Sequence, residues 1–199
     1  MKNQWSDQES SLIANDVLAL RVYTSRLLGS EESLVLHGGG NTSAKDVVKN
    51  IFGETEPVLY VKGSGQDLRT IDKQGFSRVR LDPLVKMAHL PALSDLDLVQ
   101  IQRSALLVPS DPEPSVEAIL HALIPLRFVD HTHSDALLAL SNTPDSENRL
   151  RKLFSAKKVL ILPYEMPGFK LARQVFLATR DADWKGLEAI VLLRHGVFT

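Results

Sequence analysis

Two histidines one residue apart, His131 and His133 in "FVDHTHSD", close an apolar run. On an extended backbone alternate side chains share a face. Their Cβ atoms would then lie about 6.5–7 Å apart at ~3.3 Å rise per residue, near enough for both imidazoles to reach one ion. Asp130 and Asp135 make the surroundings acidic. The pair alone fits a surface strand equally well. A third histidine, His195, follows the apolar stretch "AIVLLR" and precedes Gly196, where a strand is expected to end in a tight turn. Distant segments converge at such sheet ends. Three neutral nitrogens with a fourth position left open are the pattern of catalytic rather than structural zinc.

Glu117 lies in "SVEAILHALI", an expected helix with Ser115 at its N-cap. A carboxylate in a first turn ordinarily complements the helix dipole. Facing a metal, it could instead bind the ion at rest and then accept a substrate proton, with partial desolvation raising its pKa toward that task. His121, on the same helix face, is expected to pack behind such a site, and His37 and His89 show no partner pattern.

Two loops suit an anion. "HGGGNTS" lets backbone approach a ligand closely, with Asn41, Thr42 and Ser43 as side-chain donors. "VKGSGQDL" repeats the idea with Gly63, Ser64 and Gly65 beside the charge of Lys62. Ser115, at a helix start, is a third donor cluster. Each loop alone fits an ordinary turn; together they suggest a small phosphate. Neither loop has the GxxxxGK[ST] or GxGxxG spacing of a nucleotide site.

The elements that must position these residues are interspersed helices and strands. A single helix is expected from about Ser6 to Leu28, with Ser6 and Glu9 at capping-box spacing and Gly29 as its stop. "VVKNIF" and "PVLYVKG" read as a hairpin, and "LDPLVKMAHL" and "SDLDLVQIQRSALLV" as short helices. "RFVDHTH" reads as a strand, followed by helices in "SDALLALSN" and "DSENRLRKLFS". "KVLILPY", "GFKLARQVFLATR" and "LEAIVLLRHGVF" complete a strand, helix, strand ending. This interleaving favours a layered α/β domain with a mixed or largely antiparallel sheet.

The 199 residues, 44% hydrophobic, suit one domain with a sizeable core. A formal net charge of −1 gives no global field for nucleic acid or an anionic membrane. Cysteine is absent, which excludes disulfides and thiolate-bound zinc and is compatible with a cytoplasmic location. The polar start "MKNQWSDQES" shows no signal peptide, and no apolar run approaches the ~20 residues that span a bilayer.

The ordered set "GGGNTS", "KGSG", "PSVE", "HTH", "LPYEMPG" and "RHG" resembles the class II aldolase/adducin family, from about residue 10 to the last residue. The wording "VKGSGQDL", "VDHTHSDA" and "LPYEMPGF" is most similar to the aldolase half of bifunctional rhamnulose-phosphate aldolase/alcohol dehydrogenase proteins. The resemblance implies a three-layer α/β/α sandwich around a mainly antiparallel sheet, commonly a homotetramer with sites between subunits. By motif it assigns His131, His133 and His195 to Zn2+ or another divalent metal, and Glu117 to acid–base catalysis. Gly40, Asn41, Ser64, Gly65 and Ser115 match positions that hold a dihydroxyacetone phosphate moiety. Tyr164 matches a tyrosine that reaches a neighbouring subunit's site as proton donor.

The implied reaction is retro-aldol cleavage of a ketose 1-phosphate of rhamnulose or fuculose type through a metal-stabilised enediolate. The alternatives are a sugar-phosphate 4-epimerase, a non-enzymatic adducin-like domain and an inactive fragment of a longer bifunctional protein. Gly38 and Val116 depart from the family pattern, which often has a hydroxyl residue at the first position and a second serine at the other. Residues 1–199 are expected to be a single domain of the family without its C-terminal helices.

Overall fold

The computed structural model describes residues 3–199. The N-terminal segment forms two helices, α1 (Asp7–Ile13) and α2 (Val17–Gly29), rather than the one expected. Ser6 caps the first as its spacing predicted, accepting a hydrogen bond from the Glu9 N–H at 3.2 Å. The break arises at Asp16, whose carboxylate accepts from the Ala19 N–H at 2.8 Å and so starts a new helix. Satisfying an orphan amide at a helix start is typically worth ~1 kcal/mol, which supports the new start at Asp16.

A seven-stranded sheet follows. Its strands are β1 (Asn41–Lys49), β2 (Thr55–Lys62), β3 (Phe76–Arg80), β4 (Phe128–Thr132), β5 (Val159–Leu162), β6 (Ala189–Leu192) and β7 (Gly196–Phe198). Their order is β3-β2-β1-β4-β7-β6-β5, and every neighbouring pair is antiparallel except the parallel β5–β6. The expected β1–β2 hairpin is present, with Lys49 opposite Thr55 at its tip. The remaining helices are α3 (Leu81–Ala88), α4 (Asp95–Ser104), α5 (Ala118–Leu123), α6 (Asp135–Ser141), α7 (Ser146–Leu153) and α8 (Phe169–Ala178).

Alternation along the strands builds three layers, as expected. Leu59, Val61, Val129, Ile190 and Leu192 point to one face and pack with residues of α3, α4, α5 and α8 in the main core. Tyr60 points the other way, joining Leu18 and Val22 of α2. Val191 and Leu193 likewise meet Leu150 of α7 and Leu137 and Leu140 of α6. The sheet is therefore covered on both sides.

Strand β4 carries polar side chains on both faces. Asp130 projects toward α2 and pairs with the fully buried Arg21 at 2.7 Å, while Arg21 also donates to the Ser43 carbonyl. Burial pushes the Arg21 pKa down and the Asp130 charge pushes it back up. His131, one residue on, projects toward α5. Among the described residues no helix is long and apolar enough to cross a membrane.

Candidate metal centre

Four segments bring the site together. His131 is on β4, and His133 follows the strand, which ends at Thr132 rather than including it as expected. The His133 N–H donates to the Leu34 carbonyl at 2.9 Å, so the chain stays extended and both imidazoles remain on one side. His195 sits in the turn between β6 and β7. There Arg194 adopts φ 61°, a left-handed conformation uncommon for a side-chain-bearing residue, and its N–H donates to Ser141 Oγ at 3.1 Å. Gly196 follows because nothing larger fits: an added Cβ would lie 2.4 Å from the Thr132 carbonyl and 2.8 Å from the His131 ring.

The three histidines each offer a nitrogen, all within 4.8 Å of one another. A carbonyl can only accept, so the 3.2 Å contact of His131 Nδ1 with the Val197 carbonyl fixes the proton on Nδ1 and leaves a lone pair on Nε2. That backbone contact is the usual device for orienting a histidine ligand. His131 Nε2 lies 3.0 Å from His133 Nε2. Phe198, opposite His131 in the β4–β7 register, stacks on its ring at 4.2 Å between centroids. Sequence reasoning missed Val197 and Phe198, because "GVF" was read as the tail of one strand rather than as β7.

Glu117 is placed by a turn, not by a first helical turn. The helix begins at Ala118, Glu117 is its N-cap, and Ser115 stands two residues before it with its hydroxyl accepting from the Glu117 N–H at 3.3 Å. The turn forms because the Ala118 N–H donates to the Ser115 carbonyl. At the other end of α5, the Lys45 ammonium donates to the carbonyls of His121, Ile124 and Leu126, anchoring the helix that presents the carboxylate. Glu117 Oε1 lies 3.3 Å from His195 Nε2 and 3.6 Å from His131 Nε2, yet makes no hydrogen bond. His195 Nδ1 is likewise buried without a partner among the described residues.

Burial raises the Glu117 pKa against the opposing influence of His195, His133, Lys62 and Asn41. Burial first, and then His133, lowers His131 to about 3. Burial and then His131 lower His195 to about 4, and burial also lowers His133. Three neutral imidazoles and a buried, unpaired carboxylate oxygen are a donor set suited to a divalent cation. His121 stays out of the cluster, as expected: it is fully buried, its Nδ1 lies 2.8 Å from Ser43 Oγ, and its ring meets Phe198 edge-on.

These shifts set a pH dependence for the metal-free protein. Between the ordinary histidine value of 6.5 and the folded values of about 3 and about 4, the unfolded chain binds more protons at His131 and His195. The contribution of these two groups to stability therefore rises with pH across that window and falls as acid is added below about 6.5, while Glu117, whose pKa is raised, works in the opposite sense above 4.5 and flattens the slope. Thermal midpoints of chelator-treated protein are expected to drop from pH 7 to pH 5, with a shallower slope in His131→Gln. An unchanged slope in that variant would contradict the assignment.

The cluster forms one wall of a cleft of about 570 Å³. Gly38, Gly39 and Gly40 line one side, Ser64 and Gly65 another, and Ser115, Val116 and Glu117 a third, with Lys62, His133, His195 and Pro167 between them. A larger cleft of about 1080 Å³ beside the β1–β2 hairpin has no histidine in its wall, so chemistry rather than size selects the smaller one. Gly40 is required by φ 64° and by crowding, since an added Cβ would lie 2.4 Å from Val35 Cγ1.

The expected row of amide donors is partly spent within the protein. The N–H groups of Gly39, Ser64, Gln66 and Ser115 already donate to Leu36, Glu113, Gly63 and Lys62 carbonyls. The hydroxyls of Ser64 and Ser115 line the cleft, and buried Asn41 Nδ2 makes no full hydrogen bond within the described protein. Tyr164 is not brought to this cleft. It is half-exposed in an adjoining one, lined also by Asp95, Glu165 and Lys170, which meets the first at Pro167.

The profile of the class II aldolase and adducin N-terminal domain matches residues 19–199. A curated relative, the uncharacterized oxidoreductase YuxG of Bacillus subtilis, is 33% identical over the whole of this chain, which spans 28% of the relative's length. Among solved structures, the N-terminal class II aldolase domain of a conserved protein from Thermoplasma acidophilum is 39% identical. It superposes with a TM-score of 0.88 over 100% of this chain and 88% of that one. A sugar-phosphate aldolase from Thermotoga maritima shares the fold alone, with a TM-score of 0.63 at 16% identity, covering 94% of this chain and 84% of that one.

Proposed function

Because the chain belongs to the class II aldolase and adducin family, we propose that it is a metal-dependent aldolase acting on a ketose 1-phosphate of rhamnulose or fuculose type. The observation that supports this most is the buried Glu117 oxygen facing the nitrogens of His131 and His195 at the wall of a glycine-lined cleft. His131, His133 and His195 would hold the ion, Zn2+ or another divalent metal. When bound, it supplies Lewis acidity to the substrate's carbonyl and neighbouring hydroxyl oxygens.

The chain's own residues do the rest. The hydroxyls of Ser64 and Ser115, the Asn41 amide and the close backbone of Gly40 and Gly65 take the phosphate end. In cleavage the C3–C4 bond breaks, its electron pair passes to the C3 side, and the C4 hydroxyl gives its proton to the aldehyde-side base, the Tyr164 phenolic oxygen of a neighbouring chain, as C4 becomes an aldehyde. Glu117 Oε1 delivers a proton to C3, completing dihydroxyacetone phosphate. A carboxyl at the cleft wall within reach of C3 can carry that proton as a general acid–base group. Tyr164 would serve the aldehyde side of a neighbouring chain's site in a homo-oligomer, a tetramer by the family pattern. The setting is the cytoplasm.

The test is to load the purified chain with zinc or cobalt and screen ketose 1-phosphates, coupling dihydroxyacetone phosphate release to NADH oxidation. Release that stops on chelation and returns with metal is expected. Interconversion of C4 epimers without release would instead make the site an epimerase. No turnover of any ketose phosphate by a metal-loaded chain would overturn the enzymatic reading.

A further inference from the structure

Lys62 is the cation of the cleft wall, yet its ammonium is turned toward the protein. Nζ donates to the Gly38 carbonyl at 2.7 Å and to the Gln66 carbonyl at 2.8 Å. These two acceptors belong to the two glycine loops. One loop precedes β1 and the other follows β2, so Lys62 at the end of β2 joins them across the cleft edge. The residue is 3% exposed, which fixes its long side chain in this bridging position. A second observation points the same way. The loops touch through backbone at Gly38 and Gly65, where an added Cβ on Gly38 would meet the Gly65 carbonyl at 3.3 Å.

The glycines of these loops carry no side chains that could lock them to each other. Gly40 at φ 64° and Gly65 at φ 74° have more backbone freedom to lose than any other residue type. Something else must hold their spacing, and an ammonium donating to a carbonyl on each loop does so. Burial lowers the Lys62 pKa while the Glu117 charge opposes that fall, so the ammonium also sits within the field of the carboxylate.

We propose that Lys62 is a positioning residue that sets the separation of the two glycine loops, and through it the fit of the phosphate between them. The inference rests on the reading of this cleft as a sugar-phosphate site, and it goes beyond that reading by assigning the anion fit to a residue that need not touch the anion.

The experiment uses the metal-loaded chain with inorganic phosphate as the probe, comparing Lys62→Met, which keeps the stem but loses the donors, with Lys62→Gln as a second variant should the first fold poorly. Amide hydrogen exchange without phosphate is expected to quicken in residues 36–41 and 64–68 and to stay unchanged in β5 and β6. With both carbonyl bonds of the tether lost and the loops free to part, the phosphate Kd is expected to rise roughly tenfold, equivalent to ~1.4 kcal/mol of fit, at unaltered metal content. Weaker phosphate binding with unchanged loop exchange would mean that the ammonium acts on the ligand directly, and would overturn the tether. Faster exchange with an unchanged Kd would show that loop spacing does not govern the anion, which overturns it equally. If the parent chain fails to bind phosphate at all, the sugar-phosphate reading falls on its own, and the tether is then decided by the exchange rates.

Discussion

The parent is expected to bind about one divalent ion per chain, and a His131→Ala/His133→Ala chain to lose it. Three nitrogens within 4.8 Å define the parent site, and the double variant leaves only His195, on a two-strand turn, with Glu117 beside it. Loss of one outer hydrogen-bond partner already costs metal sites ~10–100-fold in affinity, so removal of two direct ligands costs more. The variant also removes a fully buried ring stacked on Phe198, and some loss of thermal stability should accompany it. Elemental analysis after dialysis against equal zinc separates the two effects, provided circular dichroism shows a folded chain. Undiminished metal in a folded double variant would place the ion elsewhere.

Glu117→Gln is expected to keep the fold and the metal but lower turnover by ~10²–10⁴-fold, the usual contribution of a general acid–base group. The amide nearly matches the carboxylate in shape and cannot carry a proton at the reacting carbon. Oε1 makes no full hydrogen bond among the described residues, and the Asn41 amide beside the carboxylate can donate equally to the Gln oxygen, so the fold should be little affected. The measurement is kcat with metal content determined on the same sample. A rate within a few-fold of the parent would return Glu117 to the role of a helix-end carboxylate.

Much of this site was legible in the sequence because its logic is local. The one-residue spacing of His131 and His133 says that they share a face whether or not the second remains in the strand, and His195 before a glycine says that a strand ends there. The interleaving of helices and strands gave a layered α/β domain and survives small errors in element boundaries, while the three-layer arrangement came from the family resemblance. What escaped was set by tertiary contacts. Asp16 split the first helix through a cap that the apolar stripe from Leu12 to Leu20 obscured. β7 is three residues long, too short to show a period, so the partners that Val197 and Phe198 give His131 could not be read. Lys62 looked like a charge for an anion, but burial turned it toward two carbonyls.

The two-faced character of β4 has a consequence for how the chain avoids misfolding. In most strands a register slip of one residue exchanges apolar and polar faces, and the penalty is spread over several side chains. Here the slip would carry the Asp130 carboxylate into the layer of α5 and leave Arg21, fully buried, facing an uncharged imidazole. Two unpaired charges would be stranded at once, on opposite sides of the sheet, and each is severely disfavoured away from water. The same shift would point the histidines away from Glu117. The ion pair on the far face thus disfavours a sheet assembled out of step, so the alignment that brings the histidines to Glu117 is the one that folding retains.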